Sequence, residues 1–203
     1  SGRVLYRGRD IWSMGKTEYR EYRLSVQMIH QDPYSALNPM RKIYHALASV
    51  FEYHGLTSSR SETRDRVMEL LEMVGLTPPD EIADRYPHQL SGGQLQRVTI
   101  ARAVILRPKL IVADEAVSML DPSLRVSLID LMVDLQRKYG MSYVFITHDL
   151  ACARYFALKS PKGSLTAVMK DGEVVETGDL ERILRSPRHP YTRALVEAAP
   201  RLR

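Results

Sequence analysis

Leu90-Ser91-Gly92-Gly93-Gln94 and, further along, Leu110-Ile111-Val112-Ala113-Asp114-Glu115 are the two stretches that decide the fold of this chain. The first predicts a glycine-rich turn at the start of a helix, with Ser91 as the N-cap residue. The second predicts a short strand that is buried on both faces and ends in two carboxylates. Together they indicate part of a nucleotide-hydrolysing site.

The composition limits the class of protein. The chain has 203 residues, of which 44% are hydrophobic, which suffices for one domain or for a core with a small subdomain. Its net charge is +5, but the basic residues are interleaved with acids, so we expect solvated surfaces and no nucleic-acid partner. The single cysteine, Cys152, excludes an internal disulfide and indicates a reducing, intracellular environment. No apolar stretch approaches the roughly 18 residues of a membrane span, so any membrane role is expected to be peripheral.

Hydrophobic periodicity predicts an alternation of strands and helices from residue 109 onward, and therefore a parallel sheet. Residues 40–90 contain no clear strand and are expected to form a helical insertion. Leu128, Ile129, Met132 and Leu135 are expected to face inward. The predicted strands are 4–6, 24–29, 110–113 and 143–146, with a hairpin over 165–176. The predicted helices are 43–54, 62–75, a short element at 81–85, 92–106, one that Ser123 caps and that runs to Tyr139, 179–185 and 190–199.

Polar side chains follow three of these predicted strands, at the point where each strand ends. They are Gln31, the pair Asp114 and Glu115, and His148. Because the carboxyl ends of parallel strands meet at one edge of a sheet, we expect these side chains to converge. A solvated strand end is the alternative for the two carboxylates taken alone.

Each of these side chains suits one step of phosphoryl chemistry. Asp114 can hold Mg²⁺ directly or through water, and Gln31 offers an amide for the metal or for water without adding charge. Glu115 can act as general base toward the attacking water. His148 can donate to a γ-phosphate.

The Ser91-Gly92-Gly93 turn has a chemistry of its own. Glycines let the backbone approach a phosphate closely, and the free N–H groups of a helix N-terminus favour an anion. An ordinary Ser N-cap with a flexible turn is the alternative. The full Leu-Ser-Gly-Gly-Gln string favours the anion-binding interpretation.

Gly15-Lys16-Thr17 superficially matches the end of a phosphate-binding loop. The pattern G-x-x-x-x-G-K-[ST] needs a glycine at position 10, which is Asp10. No buried strand is predicted to lead into it, and residues 18–23 are expected to be too polar for the helix that should follow. We therefore do not assign a phosphate loop here.

Taken together, these motifs resemble those of the ATP-binding subunits of ABC transporters. Gln31 resembles the Q-loop, 90–94 the signature motif, 110–115 Walker B, 118–121 the D-loop and His148 the H-loop. Three further segments resemble the oligopeptide, dipeptide and nickel importer branch: Gln31 to Pro39, Tyr86 to Gln89 and His189 to Leu195.

The resemblance implies an α/β fold of the P-loop NTPase (RecA-like) type, with a mostly parallel sheet and an inserted helical subdomain. The core would begin with residues 1–39, which hold the first strands and the Q-loop. Residues 40–107 would form the helical subdomain with the signature motif. Residues 108–178 would complete the core, and 179–203 would form a C-terminal helical extension.

The resemblance also implies ATP and Mg²⁺ as cofactors, and ATP hydrolysis that powers import of peptides or a similar small solute. The signature residues would contact ATP held by a second ATPase subunit, in a homodimer or heterodimer. Transmembrane permease subunits, and indirectly a solute-binding protein, are the other implied partners, at the cytoplasmic face of the membrane. The implied ATP contacts are Ser91, Gly92, Gly93, Gln94 and Asp121.

Two departures from the family pattern affect these expectations. The family's Walker A loop and adenine-stacking aromatic residue would precede Ser1, so we expect this chain alone to bind ATP poorly, to hydrolyse it negligibly and to expose apolar sheet edges. Ala116 replaces the proline usual after the catalytic glutamate. Two alternatives remain: a non-transport ABC ATPase, and a degenerate subunit that acts only as an interaction module.

Overall fold

The computed structural model describes residues 2–161 and 163–199. Ser1, Lys162 and residues 200–203, the last of which belong to the predicted C-terminal extension, lie outside the described residues. The strands are β1 (Leu5–Tyr6), β2 (Arg9–Asp10), β3 (Val26–Ile29), β4 (Leu110–Asp114), β5 (Ser142–Ile146), β6 (Thr166–Lys170) and β7 (Glu173–Gly178). The α-helices are α1 (Lys16–Ser25), α2 (Ile43–Tyr53), α3 (Arg60–Met73), α4 (Pro79–Asp84), α5 (Gly92–Val104), α6 (Pro122–Tyr139), α7 (Leu150–Lys159), α8 (Leu180–Arg185) and α9 (Pro190–Ala198).

A three-stranded parallel sheet organises the molecule, in the order β3-β4-β5. In this register Ala113 of the central strand lies between Ile29 of β3 and Phe145 of β5. All three strands therefore end at the same edge. The parallel sheet that the alternation of strands and helices predicts is confirmed.

The segment between β3 and β4 is helical, as the lack of strand patterning predicts. Helices α2, α3 and α4 pack together, and α2 and α3 also pack against α5, which contacts β3. Leu47, Leu71 and Leu95 are fully buried at the centre of this layer. One continuous hydrophobic core joins the helical layer to the sheet.

Helix α6 connects β4 to β5 and buries the apolar face that its periodicity predicts. Leu128, Ile129, Met132 and Leu135 are each at most 2% exposed. The prediction that Ser123 caps this helix is wrong: Asp121 is the N-cap residue and Pro122 occupies the first turn, so the helix begins two residues earlier than a cap at Ser123 would place it.

The C-terminal part forms the predicted hairpin and two short helices. Strands β6 and β7 are antiparallel and joined by Asp171 and Gly172, both of which have positive φ. Two consecutive positive φ angles are typical of a type I′ turn. Among the described residues no helix is both long and apolar enough to cross a membrane.

Three features near the N-terminus differ from the expectation. Residues 16–25 form helix α1, so the prediction that 18–23 are too polar for a helix is wrong, and β3 begins at Val26 instead of Leu24. The short strand β2 was not predicted. It pairs antiparallel with β1 in a separate two-stranded sheet, so no described strand of the parallel sheet leads into Gly15-Lys16-Thr17.

One face of the parallel sheet carries exposed apolar side chains. Met28 on β3 and Val144 and Ile146 on β5 are between 43% and 47% exposed. The prediction of apolar sheet edges stays a prediction, because these side chains lie on a face of the sheet and not at its edge.

Candidate active site

The three polar strand ends meet, and the residue that joins them is Glu115. The amide nitrogen Nε2 of Gln31 donates to Oε2 of Glu115 at 2.9 Å. The Nδ1 atom of His148 lies 3.1 Å from Oε1 of the same carboxylate. These residues are separated by 84 and 33 positions in the chain, so the parallel sheet alone brings them together.

The backbone at Glu115 explains how this side chain reaches both neighbours. Its φ is +47°, in the left-handed region that non-glycine residues rarely adopt. The conformation is held on both sides, since the Glu115 N–H donates to the Ile146 carbonyl and its own carbonyl accepts from Ser118 N–H, each at 3.0 Å. Strained backbone that the surrounding structure fixes is typical of functional positions.

The exposure of the two ionisable groups suits a reaction at the surface of this edge. The Glu115 side chain is 27% exposed, whereas that of His148 is 67% exposed. A carboxylate that is mostly shielded but still reached by solvent can polarise a water molecule. The histidine extends outward, where a ligand phosphate can meet its ring.

Asp114 and Gln31 fit a magnesium ion that also binds phosphate oxygens. Gln31 uses its NH₂ group on Glu115, which leaves its amide oxygen for a metal. Asp114 is half-buried at the end of β4, beside Glu115. Mg²⁺ prefers one or two protein oxygens together with waters and phosphates, and this donor set is of that kind. Residues 2–161 and 163–199 contain no cluster of three or more His, Cys, Asp or Glu side chains that could hold a metal without such a ligand.

The glycine-rich turn begins α5 with a reciprocal capping box. The Ser91 hydroxyl accepts from the Gln94 N–H at 3.2 Å, and the Gln94 side chain accepts from the Ser91 N–H at 3.1 Å. A Cβ atom on Gly93 would lie 3.3 Å from Leu124 of α6, so this glycine also permits close packing. In the described part of the chain, no hydrogen bond joins this turn to Gln31, Glu115 or His148.

Residues 118–121 lie between the carboxylates and α6, and Asp121 is exposed at the N-cap of that helix without a side-chain capping bond. The residue that holds this segment is Arg125, which the sequence motifs do not indicate. Its guanidinium donates to the carbonyls of Leu120 and Ser118 and to Asp149, at 2.7, 3.1 and 3.0 Å. The sequence position of Arg125 could have indicated this role. It lies one turn into α6, and a residue four positions after the N-cap can reach back over the preceding loop.

Comparison with models of protein families identifies the family of this chain. A model of the ABC transporter family matches residues 1–118, which is more than half of the chain. The chain belongs to the ABC transporter family. A second model, the C-terminal region of oligopeptide/dipeptide transporters, matches residues 175–203 of this ABC transporter chain.

Known proteins with similar sequences include ATP-binding proteins of dipeptide and oligopeptide transport. The dipeptide transport ATP-binding protein DppF of Lactococcus lactis is 40% identical over 98% of this chain and 61% of its own length. The oligopeptide transport ATP-binding protein OppF of Salmonella typhimurium is 42% identical over 98% of this chain and 57% of its own length. The ABC transporter chain described here therefore spans about 60% of the length of these relatives.

Solved structures confirm the P-loop NTPase fold. CbiO1 of Clostridium perfringens, part of an ABC transporter complex, superposes with a TM-score of 0.73 at 27% identity and covers 92% of this chain and 69% of its own. A dimeric ATP-binding cassette bound to ADP and phosphate superposes with a TM-score of 0.72 at 30% identity, covering 89% and 74%.

Proposed function

We propose that this chain is the hydrolytic part of an ATP-binding subunit that powers import of peptides, or of a similar small solute, through a membrane transporter. The observation that carries the proposal is the joining of Gln31 and His148 to Glu115 at one edge of the sheet. Relatives named for dipeptide and oligopeptide transport support the class of solute.

In this proposal Glu115 is the general base. Its carboxylate removes a proton from the attacking water, and Gln31 and His148 fix its orientation by holding one oxygen each. Asp114 and the amide oxygen of Gln31 would hold Mg²⁺, and the ion would supply positive charge for the phosphate oxygens. The exposed ring of His148 donates to the γ-phosphate.

The glycine-rich turn acts on a second nucleotide. We propose that Ser91, Gly92, Gly93 and Gln94, with Asp121 nearby, contact ATP held by another ATPase subunit, identical or different. The free N–H groups at the start of α5 suit an anion. The absence of hydrogen bonds between this turn and Glu115 in the described residues agrees with such a division between two sites.

The remaining partners follow from the same proposal. Permease subunits would anchor the protein at the cytoplasmic face of the membrane, and a solute-binding protein would act through them. The groove that borders the segment after β3, where Gln31 lies, would receive a cytoplasmic segment of the permease. Specificity for the solute would then lie outside this chain.

The test is phosphate release from Mg-ATP by the polypeptide as its gene encodes it, together with the permease. Glu115→Gln is expected to lower kcat by about 100-fold or more while nucleotide still binds, because a general base contributes about 10² to 10⁴ in rate. Glu72→Gln, an exposed change on α3, is the matched control and should leave kcat unchanged. An unchanged kcat in Glu115→Gln contradicts the proposal. ATP binding without hydrolysis in the unaltered protein would instead favour a non-catalytic module.

A further inference from the structure

A groove of about 930 Å³ lies between α1 and β3 on one side and α2 and α5 on the other. Sites for small molecules commonly enclose about 300–1,000 Å³, so the groove has room for one such ligand. None of the residues that meet at Glu115 is among the described residues that line it. The groove is therefore separate from the candidate active site.

Four cations line this groove, which we call the basic groove: Lys16, Arg20 and Arg23 on α1, and Arg102 on α5. All four residues are exposed, and within residues 2–161 and 163–199 none of their side chains forms an ion pair. Arg102 donates to the Ala36 carbonyl at 2.7 Å, which fixes its guanidinium at the groove. No acidic side chain is among the described lining residues. A concave surface with four like charges and no opposing charge attracts an anion.

Helix periodicity explains how a stretch of mixed charge gives a basic surface. Ion pairs with arginines of the β1–β2 hairpin hold Glu18 and Glu21 of α1 on the hairpin side. Lys16, Arg20 and Arg23 follow one another at intervals of four and three, so they share the opposite face, which borders the groove. The interleaving of basic and acidic residues in the sequence therefore hides an electropositive surface.

Aromatic rings line both walls of the basic groove. Tyr19 and Tyr22 on α1 contact each other with ring centroids 5.9 Å apart, and Tyr19 is still 39% exposed. Tyr53 on α2 meets the His54 ring at an angle of 87°. Because Tyr53 is 82% exposed, most of its ring surface is free. A free aromatic face can stack on a nucleobase, and the cations of the same groove suit phosphates.

From the charge, the aromatic rings and the volume, we infer that the basic groove binds a nucleoside polyphosphate. The base stacks on Tyr53, and the phosphates lie against Lys16, Arg20 and Arg23. A simple anion would leave the rings without a partner, and an uncharged aromatic molecule would leave the cations without one. The volume suits a free nucleotide better than a long strand.

A nucleotide in this groove would also regulate the proposed contact with the permease. The permease segment is proposed to enter along the residues after β3, and Ala36 of those residues lines the basic groove. A bound nucleotide would therefore compete with the permease. This consequence rests on the proposed function, whereas the binding itself needs neither ATP hydrolysis nor a permease.

The test is isothermal titration calorimetry on this chain without a permease, in excess EDTA so that no Mg²⁺ bridges a nucleotide to the candidate active site. The probes are GTP, inorganic tripolyphosphate, which has the phosphates without the base, and guanosine, which has the base without the phosphates. GTP is expected to bind at least about tenfold more tightly than either of the others, because only GTP uses both the cations and the rings.

A first variant removes the ring on which the base would stack. Tyr53→Ala is expected to weaken GTP binding about tenfold, because the stacking of a base on one aromatic ring contributes a factor of that order. Its affinity for tripolyphosphate should stay unchanged. The matched control is Trp12→Ala, a similarly exposed aromatic residue that is not among the described lining residues.

A second variant reverses the charge of the groove. Arg20→Glu with Arg23→Glu is expected to bind GTP and tripolyphosphate about tenfold more weakly, because it removes two attractions and adds two repulsions. The matched control is Arg60→Glu with Arg64→Glu, an equal change of charge on the exposed surface of α3, outside the groove. Thermal unfolding checks that both variants fold, and if the charge variant does not, the three probes and Tyr53→Ala still decide.

No binding of GTP up to about 1 mM overturns the inference, as does equal affinity for GTP and tripolyphosphate. Equal affinity for GTP in either variant and its control places the nucleotide elsewhere and overturns the inference too. A single-stranded RNA of about ten nucleotides that binds more than about tenfold more tightly than GTP, and that the charge variant no longer binds, assigns the groove to nucleic acid and also overturns it.

Discussion

Replacement of Arg125 tests whether the loop after the carboxylates is held by one side chain. The guanidinium bonds to the carbonyls of Ser118 and Leu120 and to the carboxylate of Asp149, and it is 26% exposed. Burial raises the pKa of Asp149, but the N–H groups of Ala151 and Cys152 and the charge of Arg125 outweigh this and lower the pKa overall. Asp149 follows His148 directly, so Arg125 connects the loop to the segment that carries the histidine.

The magnitude follows from these contacts. A hydrogen bond that involves a charged group contributes about 1.5–3 kcal/mol when buried, and partial exposure lowers each of the three. We therefore expect Arg125→Ala to lower the free energy of unfolding by about 2–4 kcal/mol. Arg125→Lys keeps the ion pair with Asp149, but an ammonium group cannot donate to all three acceptors at once. About half of the loss in the free energy of unfolding is therefore expected to remain.

Urea unfolding followed by circular dichroism measures this loss. The control is Arg66→Ala, which breaks an exposed ion pair of 3.5 Å with Glu69 and is expected to change stability by less than about 0.5 kcal/mol. If Arg125→Ala falls within that same range, or if the lysine variant is no more stable than the alanine variant, the assigned role of Arg125 is refuted.

Three further predictions concern other parts of the fold. Burial raises the pKa of the Cys152 thiol to about 11. Iodoacetamide should therefore alkylate Cys152 at least about tenfold more slowly at pH 8 in the folded protein than in urea. Equal rates of alkylation contradict this prediction. The backbone N–H of His189, with that of Arg188, lowers the pKa of Glu176 to about 2. The melting temperature should therefore fall as the pH drops from about 4.5 toward 2, and it should fall less steeply in Glu176→Gln. Equal dependence of the melting temperature on pH in the two proteins argues against this role of Glu176. Gly75 has φ +72°, and a Cβ atom there would lie 3.1 Å from the Arg97 side chain, whereas a Cβ atom on Gly55 would meet open space. In urea unfolding, Gly75→Ala should lower the free energy of unfolding by about 1–2 kcal/mol, and by more than Gly55→Ala does. A smaller loss at Gly75 than at Gly55 counts against the contact with Arg97.

The candidate site was largely predictable because sheet geometry determines it. Buried parallel strands place their carboxyl ends at one edge, so the sequence alone groups Gln31, Glu115 and His148. Ser91 also predicts a helix start as its N-cap residue, and this is confirmed; the structure adds a reciprocal bond from the Gln94 side chain. What strand patterning did not reveal is the left-handed backbone of Glu115, which directs its carboxylate between the other two side chains.

Helix α1 was missed because its stability comes from distant contacts. None of its residues is buried, which removes the apolar stripe that identifies most helices. Ion pairs Arg9–Glu18 and Arg7–Glu21 instead connect it to the preceding hairpin, and the Tyr22 ring packs on Tyr6. Single-sequence patterns do not report such tertiary contacts.

Helix α7 was missed although a local signal existed. Asp149 is an N-cap residue type, and its carboxylate accepts from the N–H groups of Ala151 and Cys152. The apolar residues that follow complete a recognisable helix start.

A double-mutant cycle of ATP hydrolysis on Glu115 and His148 tests the central claim most directly. In the protein as its gene encodes it, with its permease, kcat is measured for Glu115→Gln, His148→Ala and the double variant. Because the two side chains contact each other and act as one unit, the double variant should be no more than about threefold slower than Glu115→Gln alone. Losses that multiply in the double variant would contradict the claim that Glu115 joins these residues into a single site.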